Sequence, residues 1–368
     1  MNLSLSRETL LKALQKVIGV VEKRQTMPIL GNVLLQVQNN TLTLTASDLE
    51  IETRVETELE SSDGDFATSL PAIKLITIIR SLSEGLTVVL SFEEERCTLT
   101  AGRSRFKLST LPAEDFPIID MSQIVLTFSV SQHQLKTLIH NTAFAMATQD
   151  VRFYLNGMLF EIQNNQLRVV ATDGHRLSTC VTQLSVEDLP TSQAILPRKG
   201  VLELQKLIQD QDSFIELALA QNYLTIRMEN TTFTCKLIDG RFPDYRRVIP
   251  THNDQILRTQ KTLLKGLLQR AAILSNDKFK GVKLVLTENL LTVYAHNTEQ
   301  DESQEDMTVD YTGLNMEIGF NVNYLLDVIS AIPEEDIALK FENANTSCLI
   351  ESDSSDCQCQ HVIMPMRL

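Results

Sequence analysis

Tryptophan is absent from this chain of 368 residues, and cysteine is sparse: Cys97, Cys180, Cys235, Cys348, Cys357 and Cys359 lie scattered along it. Thiols dispersed through a long chain argue for reduced cysteines in a cytoplasmic protein rather than for a disulfide scaffold. No apolar run approaches the roughly 20 residues that cross a bilayer, so no membrane partner is expected. The opening MNLSLSRETLLKALQKV holds Glu8 and spaced lysines where a signal peptide keeps an unbroken apolar stretch, and it reads as a helix of the mature protein. Walker loops, dinucleotide fingerprints, metalloprotease helices and nucleophile elbows are also missing, so neither a cofactor nor catalysis is expected. Asp173, His175 and Ser178 invite a hydrolase reading, but Asp-Gly before His-Arg is an ordinary turn. Cys357, Cys359 and His361 alternate along a strand; without a second ligand pair they read as strand residues, and no metal is expected.

What the chain does contain is repetition. From Asp150 to Ser178 it reads DVRFYLNGMLFEIQNNQLRVVATDGHRLS, an alternating strand, a Gln-Asn-Asn-Gln turn and a second strand. The same outline occurs over residues 31–53 and again over 281–297. Ser6 and Ser131 are 125 residues apart; Pro71 and Pro197, and Phe116 and Phe242, are 126 apart; Leu10 and Leu263 are 253 apart. A period that long makes each unit a domain. Three are expected, 1–123, 124–253 and 254–368.

Each unit also opens on an amphipathic segment. Over residues 6–24, Leu10, Leu14, Val17 and Val21 form one stripe, and Lys12, Lys16 and Lys23 another. The segment from Arg258 is expected to turn Leu263, Leu264, Leu267 and Leu268 inward, with Lys261 and Lys265 elsewhere. His133, Lys136 and His140 lie opposite Leu135, Leu138 and Ile139. Second helices are expected from Leu70, Leu196 and Phe320, the first two with proline in the opening turn.

A net charge of −14 argues naively against nucleic acid, but the charge is unevenly distributed. Residues 96–107, RCTLTAGRSRFK, hold four bases and no acid; residues 299–306, EQDESQED, hold five acids and no base. Opposite charges at two strand edges suggest head-to-tail association, which closes into a ring if the rotation permits.

Taken together, MPILGN (27–32), RSRFKLSTLPAEDFP (103–117), YLNGMLFE (154–161), ATDGHRL (171–177), DGRFPDYRRV (239–248), AAILSN (271–276), EIGFNVNYLLDV (317–328) and VIMPMRL (362–368) resemble the bacterial DNA polymerase III beta subunit family, the replicative sliding clamps. The resemblance spans essentially the whole chain. It implies an α+β fold of three DNA-clamp domains, each with two helices on antiparallel sheets, and a head-to-tail homodimeric ring around duplex DNA. It implies a non-enzymatic processivity factor whose partners are the polymerase's catalytic subunit, the clamp loader and other proteins with clamp-binding motifs. DNA contact is implied for Lys12, Lys16, Lys23, Arg24, Lys74, Arg80, Gln149, Arg152, Tyr154, Lys199, Lys206, Lys261 and Lys265. Where the family has a second basic residue beside Lys74, this chain has Ile73, which weakens that position. A peptide cleft is implied at Leu155, Thr172, Gly174, His175, Arg176, Leu177, Pro243, Arg247, Val248, Val362, Met364, Pro365, Met366, Arg367 and Leu368. The ring interface would centre on Phe106, Ile273 and Leu274, with Arg96, Arg103 and Arg105 facing Glu299, Asp301, Glu302, Glu305 and Asp306. An adaptor that binds peptides but not DNA is the alternative from another class.

Overall fold

A computed structural model describes residues 1–21, 27–120, 123–186, 188–354 and 356–367. Its elements, numbered in chain order, write one pattern three times. The first run is β1 (Asn2–Ser6), α1 (Arg7–Val17), β2 (Asn32–Gln38), β3 (Thr41–Ser47), β4 (Ile51–Glu58), the short β5 (Ser61–Ser62), β6 (Phe66–Pro71), α2 (Ala72–Ser81), β7 (Thr87–Glu93), β8 (Arg96–Ala101) and β9 (Ser104–Ser109). The second is β10 (Ile124–Ser131), α3 (Gln132–His140), β11 (Gly157–Gln163), β12 (Gln166–Thr172), β13 (Arg176–Gln183), β14 (Ser192–Pro197), α4 (Arg198–Leu207), β15 (Phe214–Ala220), β16 (Tyr223–Met228) and β17 (Thr231–Lys236). The third is β18 (Gln255–Gln260), α5 (Lys261–Ile273), β19 (Gly281–Thr287), β20 (Leu290–His296), β21 (Glu302–Thr308), β22 (Met316–Asn321), α6 (Val322–Ala331), β23 (Asp336–Phe341), β24 (Cys348–Asp353) and β25 (Gln358–Ile363). Apart from β5, each run is strand, helix, four strands, helix, three strands.

The expected hairpins form, and asparagine closes them. Asn39 and Asn40, Asn164 and Asn165, and Asn289 all adopt positive φ. Asparagine tolerates that conformation because its short side chain bonds locally, which suits tight turns between twisted strands.

By compactness the chain separates into two units, Met1–Gln132 with Leu202–Leu237, and His133–Val201 with Ile238–Leu368. The first holds a five-stranded sheet, β5-β1-β7-β8-β9, and an eight-stranded one, β10-β15-β16-β17-β4-β3-β2-β6. The second holds β14-β11-β12-β13-β25-β24-β23-β18 and the four-stranded β21-β20-β19-β22. The middle run is thus shared between units, because its strands are hydrogen-bonded into the sheets of both neighbours. Thr231–Cys235 of β17 pair with Ile51–Val55 of β4, and Arg176–Val181 of β13 pair with Gln358–Ile363 of β25.

Several local expectations need correcting. Helix α1 begins where Ser6 Oγ accepts the Thr9 N–H (3.1 Å) but ends at Val17, not Arg24. Ile18, Gly19, Val20 and Val21 are all weak helix formers, so nothing favours another turn. Arg258 lies on β18, not on a helix, and exchanges backbone hydrogen bonds with Asp310. On α5 the buried stripe is Leu264, Leu267, Leu268 and Ala271, while Leu263 is 57% exposed. A 3.6-residue period sets Leu263 off that face. Finally, the thiols are not all reduced: Cys180 and Cys359 form a disulfide. They are direct partners across the β13–β25 ladder, a pairing set by sheet register rather than by sequence spacing.

Candidate functional site

The ATDGHRL stretch folds as a turn held from inside. Asp173 Oδ1 accepts the N–H groups of His175 (2.9 Å) and Arg176 (3.0 Å). Thr172 Oγ1 accepts from Gly174 N (3.1 Å) and donates to Arg176 O (2.6 Å). Gly174 has φ +88°, a left-handed backbone conformation that favours glycine. Arg176 turns inward. Its guanidinium donates to Asp173 (3.1 Å), Asp327 (2.5 Å) and Phe144 O (2.6 Å), with its Cζ 4.4 Å from the Tyr324 ring centroid and 5.4 Å from that of Phe144. His175 is left exposed, stacked on Tyr324 at 6.5 Å. No hydrolase triad assembles: Asp173 is engaged in the turn, and buried Ser178 pairs its Oγ with His361 Nδ1 at 3.0 Å.

Beneath this turn lies an apolar floor. Leu177 and Val362 pack with Leu159, Val170, Ile195, Phe242, Tyr245 and Leu349, with Tyr154 against the cluster. Leu155 is also buried. A 3-10 turn, Tyr245–Val248, forms one rim. Tyr245 donates its hydroxyl to buried Glu161 (2.6 Å), and Arg246 donates to the same carboxylate (2.6 Å), leaving Arg247 and Val248 exposed. Pro243 is exposed beside them. The tail forms another rim: Met364 N donates to His175 O (2.9 Å) and Met366 N to Gly319 O (2.8 Å). Met364 and Arg367 are exposed and Pro365 and Met366 half-buried; Leu368 lies outside the described residues. The rims carry exposed Pro243, Val248 and Met364, and Arg247 pairs with Asp244 at 2.8 Å. Sequence reasoning missed Glu161 on β11, which holds Tyr245 and Arg246, and Tyr324 and Asp327 on α6, which hold Arg176.

The cationic candidates occupy several elements. In the first unit Lys12, Lys16 and Lys206 line an open cavity of ≈ 640 Å³. Lys16 donates to Asn230 Oδ1 (2.9 Å) and Thr231 Oγ1 (3.0 Å), and burial lowers its pKa. Lys206 pairs with Glu203 at 2.6 Å. Lys74 and Arg80 are exposed on α2, as is Ile73. In the second unit Gln149 is exposed, Tyr154 half-buried, and Arg152 is clasped by Asp150 through contacts of 3.0 and 2.9 Å. Those hydrogen bonds hold the Asp150 carboxyl at about 2. Lys261 donates to the carbonyls of Ile332 (3.0 Å) and Pro333 (3.1 Å), and Lys199 and Lys265 are half-buried. Lys23 and Arg24 lie outside the described residues.

The charged runs fall on open sheet edges. Strand β9 ends the five-stranded sheet, with Arg103 and Arg105 exposed and Phe106 half-buried; Arg96 is exposed on β8. Strand β21 ends the four-stranded sheet. Glu299, Asp301, Glu302 and Asp306 are exposed, whereas Glu305 accepts two hydrogen bonds from Arg270. Ile273 is 76% exposed at the end of α5, beside half-buried Leu274.

Three repeats of two helices on antiparallel sheets, with lysines along the helices, define a DNA clamp. Comparison with known proteins is more specific. The chain matches the N-terminal, central and C-terminal domain models of the DNA polymerase III beta subunit over residues 1–120, 129–244 and 246–367. It is 46% identical over 368 residues to the beta sliding clamps of Haemophilus influenzae and Escherichia coli K12, covering all of each chain. Among solved structures, a sliding clamp from Pseudomonas aeruginosa bound to griselimycin is similar with a TM-score of 0.96 at 45% identity, each chain covered in full. The Caulobacter crescentus pol III beta structure is similar with a TM-score of 0.92 at 36% identity, again in full. The chain belongs to the DNA polymerase III beta subunit family, the bacterial sliding clamps. It is a non-catalytic accessory subunit of replication.

Proposed function

We propose that two copies of this chain close head to tail around duplex DNA, tether the replicative polymerase, and exchange partners through a peptide cleft beside His175. The observation that carries the reading is topological. The last strand of the second run, β17, pairs with β4, the strand before β5 and β6 in the first run; the last strand of the third, β25, pairs with β13 at the matching place in the second. By the same rule β9 should meet β21, and both are unpaired edges of opposite charge. An edge so exposed must be covered, and a second copy supplies the cover. Arg96, Arg103 and Arg105 then face Glu299, Asp301, Glu302 and Asp306 around Phe106, Ile273 and Leu274, and the rim charges set orientation and association rate.

Domains bounded at 123 and 253 follow from the repeat, with each boundary bridged by a continuous sheet. DNA enters as a polyanion with one charge per roughly 1.7 Å of axis, attracted by lysines in any register. Such contacts reach phosphate and carry no base information, so the ring can slide while encirclement prevents loss. The family's polymerase subunit, clamp loader and other motif-bearing partners would insert short peptides over Leu155, Leu177 and Val362. The site of action is the cytoplasm; among the described residues no helix is long and apolar enough to cross a membrane. The test is retention in high salt on nicked circular DNA, with release when that DNA is linearised. Equal loss from both topologies would leave the peptide-only adaptor.

A further inference from the structure

The sulfur chemistry between β13 and β25 plays no part in the function above. Cys180 and Cys359 are bonded, and Cys357, the residue before β25, brings its Sγ to 3.8 Å from Cys359 Sγ. All three side chains are buried, and their sulfurs lie within 4.8 Å of one another. The third sulfur is held in place by a turn. The Cys357 N–H donates to Ser354 Oγ (3.3 Å), and the Ser354 N–H donates to Cys357 O (3.0 Å). Among the described residues Cys97, Cys235 and Cys348 do not join this group.

A metal–thiolate bond of about 2.3 Å sets the sulfurs of a three-coordinate centre about 4 Å apart. That is the spacing found between Cys357 and Cys359, and a modest side-chain rotation brings Cys180 to the same distance once it is released. We propose that, after reduction of the Cys180–Cys359 bond, the three sulfurs form a trithiolate site for a soft d10 cation, with Cu(I) as the fitting ion. A dithiol reductant supplies two electrons and two protons as it closes to its own disulfide, yielding the Cys180 and Cys359 thiols. The incoming cation then displaces thiol protons as the metal–sulfur bonds form. Zn(II) prefers four ligands. Among the described residues no histidine, aspartate or glutamate completes the group, and the burial of all three sulfurs disfavours a bound water. Cu(I) is satisfied by three soft thiolates. The site lies on the ladder that carries Leu177 and Val362, so the cation would replace one crosslink between these strands by another.

The test uses the full chain, reduced with a phosphine, freed of reductant without air, and titrated separately with Cu(I) and Zn(II). Metal per chain is measured after desalting. The reduced protein should retain one Cu(I), the disulfide form none, and Cys357→Ala should weaken retention by about 100-fold or more. Because Cys357→Ala leaves Cys180 and Cys359 free to pair, its unchanged circular dichroism separates loss of a ligand from loss of fold. No Cu(I) on the reduced chain, or equal retention by Cys357→Ala, overturns the site. Tighter retention of Zn(II) overturns the choice of ion.

Discussion

One buried carboxylate, Glu161, ties β11, β14 and the 245–248 turn together. It accepts from Tyr245, Arg246 and Gln193, the last at 2.7 Å, and burial with this hydrogen bond pushes the Tyr245 phenol upward. Glu161→Ala strands the Tyr245 hydroxyl, so a loss of about 1–3 kcal/mol is expected in urea unfolding. A labelled clamp-binding peptide should bind more weakly, because the turn bearing Arg247 and Val248 loses its tether; unchanged anisotropy would show that the turn is held otherwise. His361 contributes to acid sensitivity. It is fully buried, its Nε2 has no partner among the described residues, and burial depresses its pKa to about 4. The unfolded chain takes up that proton near 6.5, so this contribution is complete above pH 6.5 and is lost as the pH falls toward 4. The loss amounts to about 3 kcal/mol. Glu52 has the opposite sign: burial raises its carboxyl, so its share of stability grows on acidification. Comparing urea midpoints at pH 7 and pH 4.5 for wild type and His361→Gln isolates the histidine. The variant should lack this part of the acid loss, and parallel curves would refute the assignment.

At the scale of elements, the helices and hairpins were largely legible, because apolar periodicity is local information. The limits of α1 and the facing of α5 were less so. Adjacent leucines at 263 and 264 look alike in sequence, and only packing decides between them. Leu264→Ala should cost about 2–5 kcal/mol and Leu263→Ala under 0.5, as differential scanning calorimetry would reveal; equal costs would contradict the observed stripe. Arg176 shows the same limit. A basic residue in a turn reads as a surface contact, yet its cation is held by Asp173, by Phe144, and by Asp327 and Tyr324 of α6.

For the whole molecule, the consequence of the repeat is an unfilled pairing rule at β9 and β21. Ile273, exposed at the end of α5, has the apolar character expected at a covered joint. Ile273→Ala with Leu274→Ala should shift the dimer toward monomer in sedimentation velocity at micromolar concentration, leaving circular dichroism unchanged; an unaltered dimer would remove these residues from the joint. High salt should accelerate this dissociation only modestly, because screening weakens the charged rim but not apolar burial.

The sequence alone determined the triplicated pattern, the positions of most helices and turns, the uneven charge and the family, because each is written in local periodicity or contiguous motifs. The tertiary structure decided which strands stitch the repeats together, and with them the Cys180–Cys359 pairing, the Glu161 tether and the inward turn of Arg176. Those depend on contacts between distant segments, as between Cys180 and Cys359, 179 residues apart. Register is set by burying whole faces at once, a cooperative choice that no short stretch of chain encodes.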